Sequence, residues 1–340
     1  MQIAEIQALT QKIKENMEKV VVGKSEKIEL ILAALLAKGH VLLEDVPGTG
    51  KTVLAKSLAK SLDTTFKRIQ FTPDLMPADV TGTNVIDKDE MGQNTLKFQK
   101  GPIFSNVILA DEINRATPKT QSALLEAMQE HTVTAGGHTY NLSEPFFVLA
   151  TQNPIEQDGT YPLPEAQMDR FMFKLVVGFP TKEELYSIVN MTQESMEEHA
   201  QAVLTGDELL QMRRAAKDIL IIDDVLNYAI KLVSATHPEL SDSPETTKKY
   251  IRFGASPRAA QALITAGKVK ALMEGRYNVS YEDINILAYP VLRHRIKPSF
   301  NAITDKVGVD QIITKLIKEL SGNKSAPATE SNAKKSFLKK

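Results

Sequence analysis

The 340-residue sequence contains no cysteine, which excludes a disulfide framework, a thiolate metal site and a cysteine nucleophile. Its formal net charge is −1, so no whole-chain field attracts nucleic acid or an anionic membrane, although a local basic strip is compatible with this balance. No run approaches the roughly 18 consecutive apolar residues of a membrane-spanning helix. Residues 1–20 lack the continuous apolar segment of a signal peptide, and the six histidines show no paired spacing typical of zinc sites. We therefore expect a cytoplasmic protein without a membrane span.

The composition predicts a globular protein with two domains. Charged residues make up 24% and hydrophobic residues 42% of a chain that is long enough for two cores. Strand-type and helix-type segments alternate up to about residue 180, which predicts an α/β core with a parallel sheet over residues 1–180. Residues 181–320 are predicted to form a smaller, all-helical domain without an internal strand. Residues 321–340, rich in Ser, Ala, Asn and Lys, predict a disordered, weakly basic tail.

The segment VLLEDVPGTGKT (residues 41–52) is typical of a phosphate-binding Walker A loop. An apolar run predicts a short buried strand before the loop, and apolar residues at helical spacing follow it. Asp45 replaces the first glycine of the pattern G-x-x-x-x-G-K-[ST], a change that the turn can accept because aspartate tolerates left-handed backbone geometry. A glycine-rich turn without any ligand is the alternative, which the downstream motifs make less favourable.

In such a loop, backbone N–H groups and the N-terminus of the next helix create a cradle for phosphate oxygens. Lys51 is predicted to reach the β- and γ-phosphates of a nucleotide, and the Thr52 hydroxyl is predicted to bind Mg²⁺. The residues of this segment that we predict to bind nucleotide are Val46, Pro47, Gly48, Thr49, Gly50, Lys51, Thr52 and Val53.

A second candidate contact with the nucleotide lies upstream, between two predicted amphipathic helices. The apolar run at residues 20–22 is followed by a glycine, and such a run could pack against an adenine ring. By itself a run of this kind more often belongs to the protein core. We include Val22 and Gly23 among the predicted nucleotide-binding residues.

Acidic and amide side chains follow two further predicted strands. Asp111 and Glu112 end an apolar strand, as in a Walker B motif, where Asp111 would bind Mg²⁺ and Glu112 would orient and polarise the attacking water. Asn153 follows the strand at residues 146–151 and could bind the γ-phosphate or the water, because ligands of open α/β sheets bind at the carboxyl ends of strands. The alternatives are a surface Asp-Glu pair and an asparagine that caps an Asn-Pro turn.

Two segments are predicted to stand apart from the α/β core. Residues 72–104 begin with prolines that allow only a short helix, and they continue as two short β runs around a polar turn. Residues 131–142 contain two β-prone arms joined by a Gly-Gly pair, which is typical of a hairpin. This hairpin has no lysine or arginine, whereas sites for single-stranded nucleic acid combine a cationic groove with stacking aromatic side chains.

Two arginines are the remaining candidates for the chemistry of the site. Arg170 follows LPEAQMD, and Arg258 lies in GASPR. The planar guanidinium suits the charge that develops on a transferring phosphoryl group. Judged by residue type alone, each arginine is as well explained as a salt-bridged surface residue.

Taken together, these motifs resemble the MoxR family of AAA+ ATPases, over roughly residues 5–300. The resemblance implies that residues 72–104 are the helix-2 insert and that residues 131–142 are the pre-sensor-1 hairpin. The segments that carry it are LLEDVPGTGKT (42–52), ILADEINRA (108–116), ATQNPIEQDGTYPLPEAQMDRF (150–171) and GASPRA (254–259).

The resemblance also implies roles for single residues. By it, Asn153 is sensor 1, Arg170 is the arginine finger offered to the neighbouring subunit, and Arg258 is sensor 2 of the helical lid domain. The site would lie between the α/β core and the lid, with Arg258 on the γ-phosphate and Arg170 completing it from the next protomer. Arg115 also lies close to the acidic pair in sequence and is the alternative finger.

The function implied is a Mg²⁺-dependent ATPase with a mechanical output, acting as a homo-oligomer that we expect to be a hexameric ring. Its partner would be a protein client, such as a von Willebrand A domain protein or a metal-cofactor enzyme, which it assembles, remodels or activates. Nucleic acid is not expected as a partner. The alternatives are a magnesium-chelatase-like motor subunit, a DNA-acting AAA+ motor, and a nucleotide-gated scaffold that binds ATP with little turnover.

Overall fold

The computed structural model describes residues 1–45, 48–88, 93–153, 159–192 and 201–321. The strands, in chain order, are β1 (Val41–Asp45), β2 (Phe66–Gln70), β3 (Gly82–Lys88), β4 (Asn94–Lys100), β5 (Val107–Asp111), β6 (Thr132–Ala135), β7 (His138–Asn141), β8 (Phe147–Gln152), β9 (Phe173–Val177), β10 (Ile251–Phe253) and β11 (Lys297–Pro298). The helices are α1 (Ile3–Glu18), α2 (Ser25–Leu36), α3 (Lys51–Ser61), α4 (Pro77–Thr81), α5 (Pro118–Glu130), α6 (Glu165–Met168), α7 (Lys182–Thr192), α8 (Gly206–Lys217), α9 (Asp223–Ser234), α10 (Glu245–Tyr250), α11 (Pro257–Met273), α12 (Tyr281–Leu292), α13 (Phe300–Thr304) and α14 (Val309–Ser321).

Five parallel strands form the central sheet in the order β2-β5-β8-β1-β9. Its inner strands read as continuous apolar runs, since helices cover both faces of a parallel sheet. In β1, Val41 and Leu43 belong to one hydrophobic cluster and Leu42 to another on the opposite face. The predicted α/β class, with a parallel-sheet core followed by a mainly helical region, is confirmed.

All five strands of the central sheet run in the same direction, so their two ends form two distinct edges of the sheet. We call the edge where the strands end, at Asp45 of β1, Asp111 of β5 and Gln152 of β8, the carboxyl edge. The opposite edge, where β1 begins at Val41 and β9 begins at Phe173, is the amino edge. Strand β8 lies between β5 and β1, so loops that leave these three strands are neighbours at the carboxyl edge.

Two antiparallel hairpins project from the core. The two β runs predicted in residues 72–104 form β3 and β4, while their connecting turn, Asp89 to Gly92, lies outside the described residues. In the second hairpin, β6 and β7 are joined by Gly136 and Gly137, whose φ values of 58° and 80° suit a type I′ turn. The hairpins touch through Phe98 and Tyr140, whose rings stack with centroids 4.4 Å apart.

The region after residue 181 is mainly helical, and two of its helices, α8 and α12, begin at capping boxes. The Thr205 hydroxyl accepts a hydrogen bond from the Glu208 N–H, and Ser280 accepts one from Asp283, each within a capping box. The predicted absence of an internal strand is wrong, because Ile251–Phe253 pairs with Lys297–Pro298. These strands are too short to show a period in the sequence.

The helices before and after the sheet share one core. The hydrophobic cluster on one face of the sheet contains Ile13 of α1, Leu35 of α2, Leu263 of α11 and Leu287 of α12. The amphipathic helix α14 follows, and the predicted tail beyond Ser321 lies outside the described residues. None of the helices in the described ranges is long and apolar enough to cross a bilayer.

Candidate functional site

The loop after β1 has the backbone geometry of a phosphate cradle. Gly48 and Gly50 have φ values of 82° and 83°, in the left-handed region that glycine adopts without strain. A Cβ atom at either position would meet no atom within 4 Å, so conformation rather than space requires glycine here. Gly50 is the N-cap of α3, and the unpaired N–H groups of the first helical turn therefore lie at this loop. The arrangement fits a bound phosphate.

Within this turn, Lys51 and Thr52 are the first two residues of α3 and Val53 is the third, and all three are partly exposed. The predicted nucleotide contacts Val46 and Pro47 lie outside the described residues, as does the side chain of Asp45. The part of the loop that is described has the features that the sequence motif requires.

The segment between α1 and α2 reaches the same loop. The Lys24 ammonium contacts the carbonyl oxygen of Thr49, and this contact brings Val22 and Gly23 towards the cradle. Gly23 has a φ of 73°, and a Cβ there would lie 2.1 Å from the Glu184 carboxylate of α7. The left-handed backbone favours glycine at this position, and a Cβ there would also displace the Glu184 side chain. The sequence predicted that this segment contacts the nucleotide, but it did not predict a role for Lys24. The signal for Lys24 was its position directly after Gly23.

Asp111, at the end of β5, is held on both of its carboxylate oxygens. Its Oδ1 accepts a hydrogen bond of 2.6 Å from the Thr151 hydroxyl. Its Oδ2 accepts two from the Arg68 guanidinium, at 2.7 and 3.2 Å. The residue is only 6% exposed, and these donors fix the orientation of its carboxylate at the carboxyl edge.

Glu112 adopts a left-handed conformation with φ 56° and ψ 50°, which is uncommon for a residue with a side chain. Its N–H donates to the Thr151 hydroxyl at 2.9 Å. Its Oε2 accepts from the Gln70 amide at 2.9 Å and from Arg115 at 3.1 Å. Strain of this kind is retained where surrounding contacts enforce it, and it is common at functional sites.

Sequence reasoning missed four residues that organise this acidic pair: Arg68, Gln70, Arg115 in this role, and Thr151. The signal for two of them was the alternation of β2, which places Arg68 and Gln70 on one face. Their relevance depends on the pairing of β2 with β5, in which Gln70 is level with Asp111. The motif itself contains no information on that pairing.

Asn153 lies between the cradle and the acidic pair. It follows β8, whose Gln152 is level with Glu44 of β1, so Asn153 is level with the start of the phosphate loop. The residue is buried, at 6% exposure. Adjacent strands lie about 4.8 Å apart, and the loop after β1 and the acids after β5 are therefore separated by roughly 10 Å, with Asn153 between them.

The donors at this edge fit Mg²⁺. Thr52 offers a hydroxyl and Asp111 a carboxylate, both hard oxygen ligands, and Mg²⁺ in nucleotide sites takes its other ligands from phosphate and water. Within the described ranges, no group of three or more His, Cys, Asp or Glu residues could hold a metal alone.

The two candidate arginines lie at the amino edge. Arg170 precedes β9, and Arg258 is in the first turn of α11, where its guanidinium lies 3.8 Å from the Asp169 carboxylate. Both arginines line a cavity of about 410 Å³ together with His40, which directly precedes β1. The structure thus brings Arg170 and Arg258 together, but not at the phosphate loop of their own chain.

The expectation that the lid lies over the nucleotide, with Arg258 on the γ-phosphate, stays a prediction, and in this chain Arg258 is held at the amino edge. The five residues of β1 separate the two edges by about 16 Å, at a rise of about 3.3 Å per residue. The reason is the docking of α11 and α12, which fixes Ser256 and Arg295 on Asp169 at the amino edge. Arg115, in contrast, lies at the carboxyl edge on Glu112.

Burial lowers the pKa values of the histidines near the amino edge. Burial lowers the pKa of His40 to about 4. The ring accepts a hydrogen bond at Nδ1 from the Val148 N–H at 3.0 Å and lies 3.1 Å from the Met128 carbonyl through Nε2, which fits a neutral ring protonated at Nε2. Desolvation also lowers the pKa of His294 well below its usual value, and it lowers that of His131.

Comparisons with known proteins agree with this geometry. A family model for the ATPase family associated with various cellular activities (AAA) matches residues 40–173, and an AAA lid domain model matches residues 244–316. The uncharacterized protein YeaC of Bacillus subtilis is 43% identical over 92% of this chain and 94% of its own length. Chaperone MoxR1 of Mycobacterium tuberculosis is 40% identical over 94% of this chain and 83% of its own.

A crystal structure from Cytophaga hutchinsonii, of a protein described as a candidate ATPase, superposes with a TM-score of 0.87. It is 40% identical to this chain and covers 93% of it, while the chain covers 95% of that protein. The match extends through both the α/β core and the helical region. With the family models and the relatives, it confirms that the chain belongs to the MoxR family of AAA+ ATPases.

Proposed function

We propose that this protein binds ATP with Mg²⁺ at the carboxyl edge, hydrolyses it, and uses the cycle to remodel or activate a protein partner. The observation that supports this most is the meeting of three separate chain segments at one edge: the glycine turn before Lys51, the acidic pair Asp111-Glu112, and Asn153. Membership of an AAA ATPase family supports the same reaction.

In this proposal each side chain has a distinct task. Lys51 and the N–H groups of the first turn of α3 bind the phosphates, and Thr52 and Asp111 hold the metal. When bound, Mg²⁺ neutralises charge that develops between the β- and γ-phosphates. Glu112 accepts a hydrogen bond from the attacking water and orients it, while Asn153 donates its amide N–H towards the γ-phosphate or the water.

The test of the Glu112 role is a Glu112→Gln variant. The amide keeps the shape of the side chain but cannot act as a base, so turnover should fall by about 10²–10⁴-fold with little change in ATP affinity. Glu126→Gln, at an exposed position of α5, is the matched control and should behave as the unmodified protein. Unchanged turnover in Glu112→Gln would favour the nucleotide-gated scaffold, which binds ATP without using this acid.

We further infer that Arg170 and Arg258 act on the nucleotide held by a neighbouring protomer. They lie at the amino edge, about 16 Å of strand away from the cradle of their own chain. A head-to-tail interface would place the amino edge of one protomer on the carboxyl edge of the next, and such interfaces close into rings. A hexamer is the ring size that the family resemblance suggests.

Mixed assemblies test this arrangement. Arg170→Ala and Glu112→Gln should each be nearly inactive alone, since an arginine finger contributes on the order of 10³–10⁵ to the rate. In co-assembled rings, a subunit with Arg170→Ala keeps Glu112 and receives an intact arginine from a Glu112→Gln neighbour. A random equal mixture would restore about one quarter of the sites. If co-assembly restores no activity, the arginine acts within its own chain and the proposal is wrong.

The partner is proposed to be a protein. A relative that is 40% identical is named as a chaperone, which supports assembly or activation of proteins as the output. Von Willebrand A domain proteins and metal-cofactor enzymes are the client classes that the family resemblance suggests. Stimulation of the ATPase by single-stranded DNA, lost at raised salt, would instead support a nucleic-acid motor.

A further inference from the structure

One carboxylate joins the two arginines of the amino edge. Asp169 directly precedes Arg170 in the chain. Its oxygens accept hydrogen bonds from the Ser256 hydroxyl at 2.9 and 2.8 Å and from the Arg295 guanidinium at 2.7 Å, and Arg258 lies 3.8 Å away. Asp169 is thus in contact with the start of the helix that carries Arg258 and is bonded through the peptide to Arg170.

The Ser256 hydroxyl serves this contact instead of its usual role. Ser256 is the N-cap of α11, a position where serine normally accepts a hydrogen bond from a backbone N–H of the first turn. Here it makes no such capping bond and donates to Asp169. Loss of a cap typically costs about 1 kcal/mol. The chain therefore orients this hydroxyl towards Asp169 rather than towards its own helix.

Arg295 secures the other side of the same carboxylate. Its side chain is 3% exposed, and its five N–H donors match five acceptors. One acceptor is the Asp169 carboxylate, and the others are the carbonyl oxygens of Asp169, Phe171, Met172 and Val291, at 3.0, 2.8, 3.1 and 2.7 Å. The backbone on both sides of Arg170 is therefore fixed by a single guanidinium from the helical region.

A purely structural role, attaching the helical region to the core, is the competing explanation. That attachment has other sources, because Arg293 binds Asp310 at 2.8 Å and the Lys174 carbonyl at 2.9 Å. His294 lies 2.9 Å from the Phe171 carbonyl, and the hydrophobic core continues from the sheet into α12. Asp169 links Arg170, to which it is joined by the peptide bond, with Arg258, which lies 3.8 Å from its carboxylate.

We propose that Asp169 and Arg295 are positioning residues that hold Arg170 and Arg258 as one rigid unit directed at the neighbouring protomer's nucleotide. This inference rests on the proposed action of both arginines between protomers. When the helical region moves, the unit moves with it, so the position of that region sets the rate at the adjacent site. Misplacement of a catalytic group by about 1 Å can cost on the order of 10²-fold in rate.

The variants that test this are Asp169→Asn, which keeps the shape but removes the charge, and Arg295→Lys, which cannot form five hydrogen bonds. Each should lower kcat by roughly 10²-fold and leave the affinity for ATP unchanged, because neither residue lies at the cradle of its own chain. Arg293→Lys is the matched control, since it changes a neighbouring arginine without touching Asp169, and its kcat should stay near that of the unmodified protein.

Co-assembly with Glu112→Gln separates positioning from structural damage. Rings of Asp169→Asn with Glu112→Gln should recover activity as far as rings of Arg170→Ala with Glu112→Gln do, because the Asp169→Asn subunit keeps a competent cradle. A variant that merely disturbs its own fold would show lowered thermal stability, weakened ATP binding and no recovery.

The two proposals fail in different ways. If the Arg170→Ala mixture recovers activity but Asp169→Asn keeps full activity alone, or is not restored by co-assembly, the positioning role is wrong while the action between protomers stands. If the Arg170→Ala mixture does not recover, both proposals are wrong.

Discussion

Stability below neutral pH should depend on His40. The folded protein lowers the pKa of this buried ring from 6.5 to about 4. Between these values the unfolded chain binds a proton that the folded chain excludes, so the stabilisation is complete above pH 6.5 and is lost as the pH falls towards 4. A difference of about 2.5 pH units corresponds to roughly 3.4 kcal/mol.

The physical reason is the pair of contacts made by the neutral ring. Protonation at Nδ1 would place a hydrogen against the Val148 N–H, which now donates to that nitrogen. The fully buried ring would also carry a charge without water around it. The lowered pKa values of His294 and His131 act in the same direction, so the whole protein should lose stability in this pH range.

Urea unfolding at pH 6.5 and pH 5.0 measures the His40 contribution. Over this interval His40 should account for a loss of about 1.6 kcal/mol in the free energy of unfolding, since the unfolded ring is already half protonated at pH 6.5. A His40→Gln variant should start less stable but lose about that much less between the two pH values. His138→Gln, on an exposed hairpin strand, controls for the loss of a histidine. Equal losses in His40→Gln and the unmodified protein would refute this explanation.

Two further predictions concern the carboxyl edge. Thr151→Val removes the hydroxyl between Asp111 and Glu112, takes the hydrogen-bond partner from the partly buried Glu112 N–H at a cost of about 1 kcal/mol, and should lower kcat, whereas Thr151→Ser should retain most of the activity. Lys24→Met removes the ammonium contact with the loop carbonyl and should raise the Kd for ATP by roughly tenfold, a loss of about 1.4 kcal/mol. A titration calorimeter measures the Kd, and an unchanged value would show that this contact does not order the loop.

Local patterns predicted the parts of the site that are continuous in sequence. The turn before Lys51 and the strand ending at Asp111 each combine a regular hydrophobic pattern with a residue type that binds phosphate or metal. The parallel sheet is predicted by the alternation of such strands with helices. Thr151 and Gln70 were not predicted, because their importance depends on which strands are adjacent. That adjacency is a property of the sheet order, and no short segment contains it.

The position of Arg258 could not be predicted for a related reason. Its motif indicates a helix start and an available guanidinium, but the edge of the sheet that it reaches depends on how α11 and α12 dock. That docking brings Ser256 and Arg295 onto Asp169, a residue far away in the chain, and no short segment contains these contacts. Short pairings such as β10 with β11 are missed because three residues show no period.

The opposite placement of cradle and arginines gives each chain a direction. In an assembly that joins the carboxyl edge of one copy to the amino edge of the next, every subunit completes the reaction centre on one side and has its own completed from the other. The nucleotide bound at one site would then affect the next site in one direction around the ring, through the sheet that lies between the two sites.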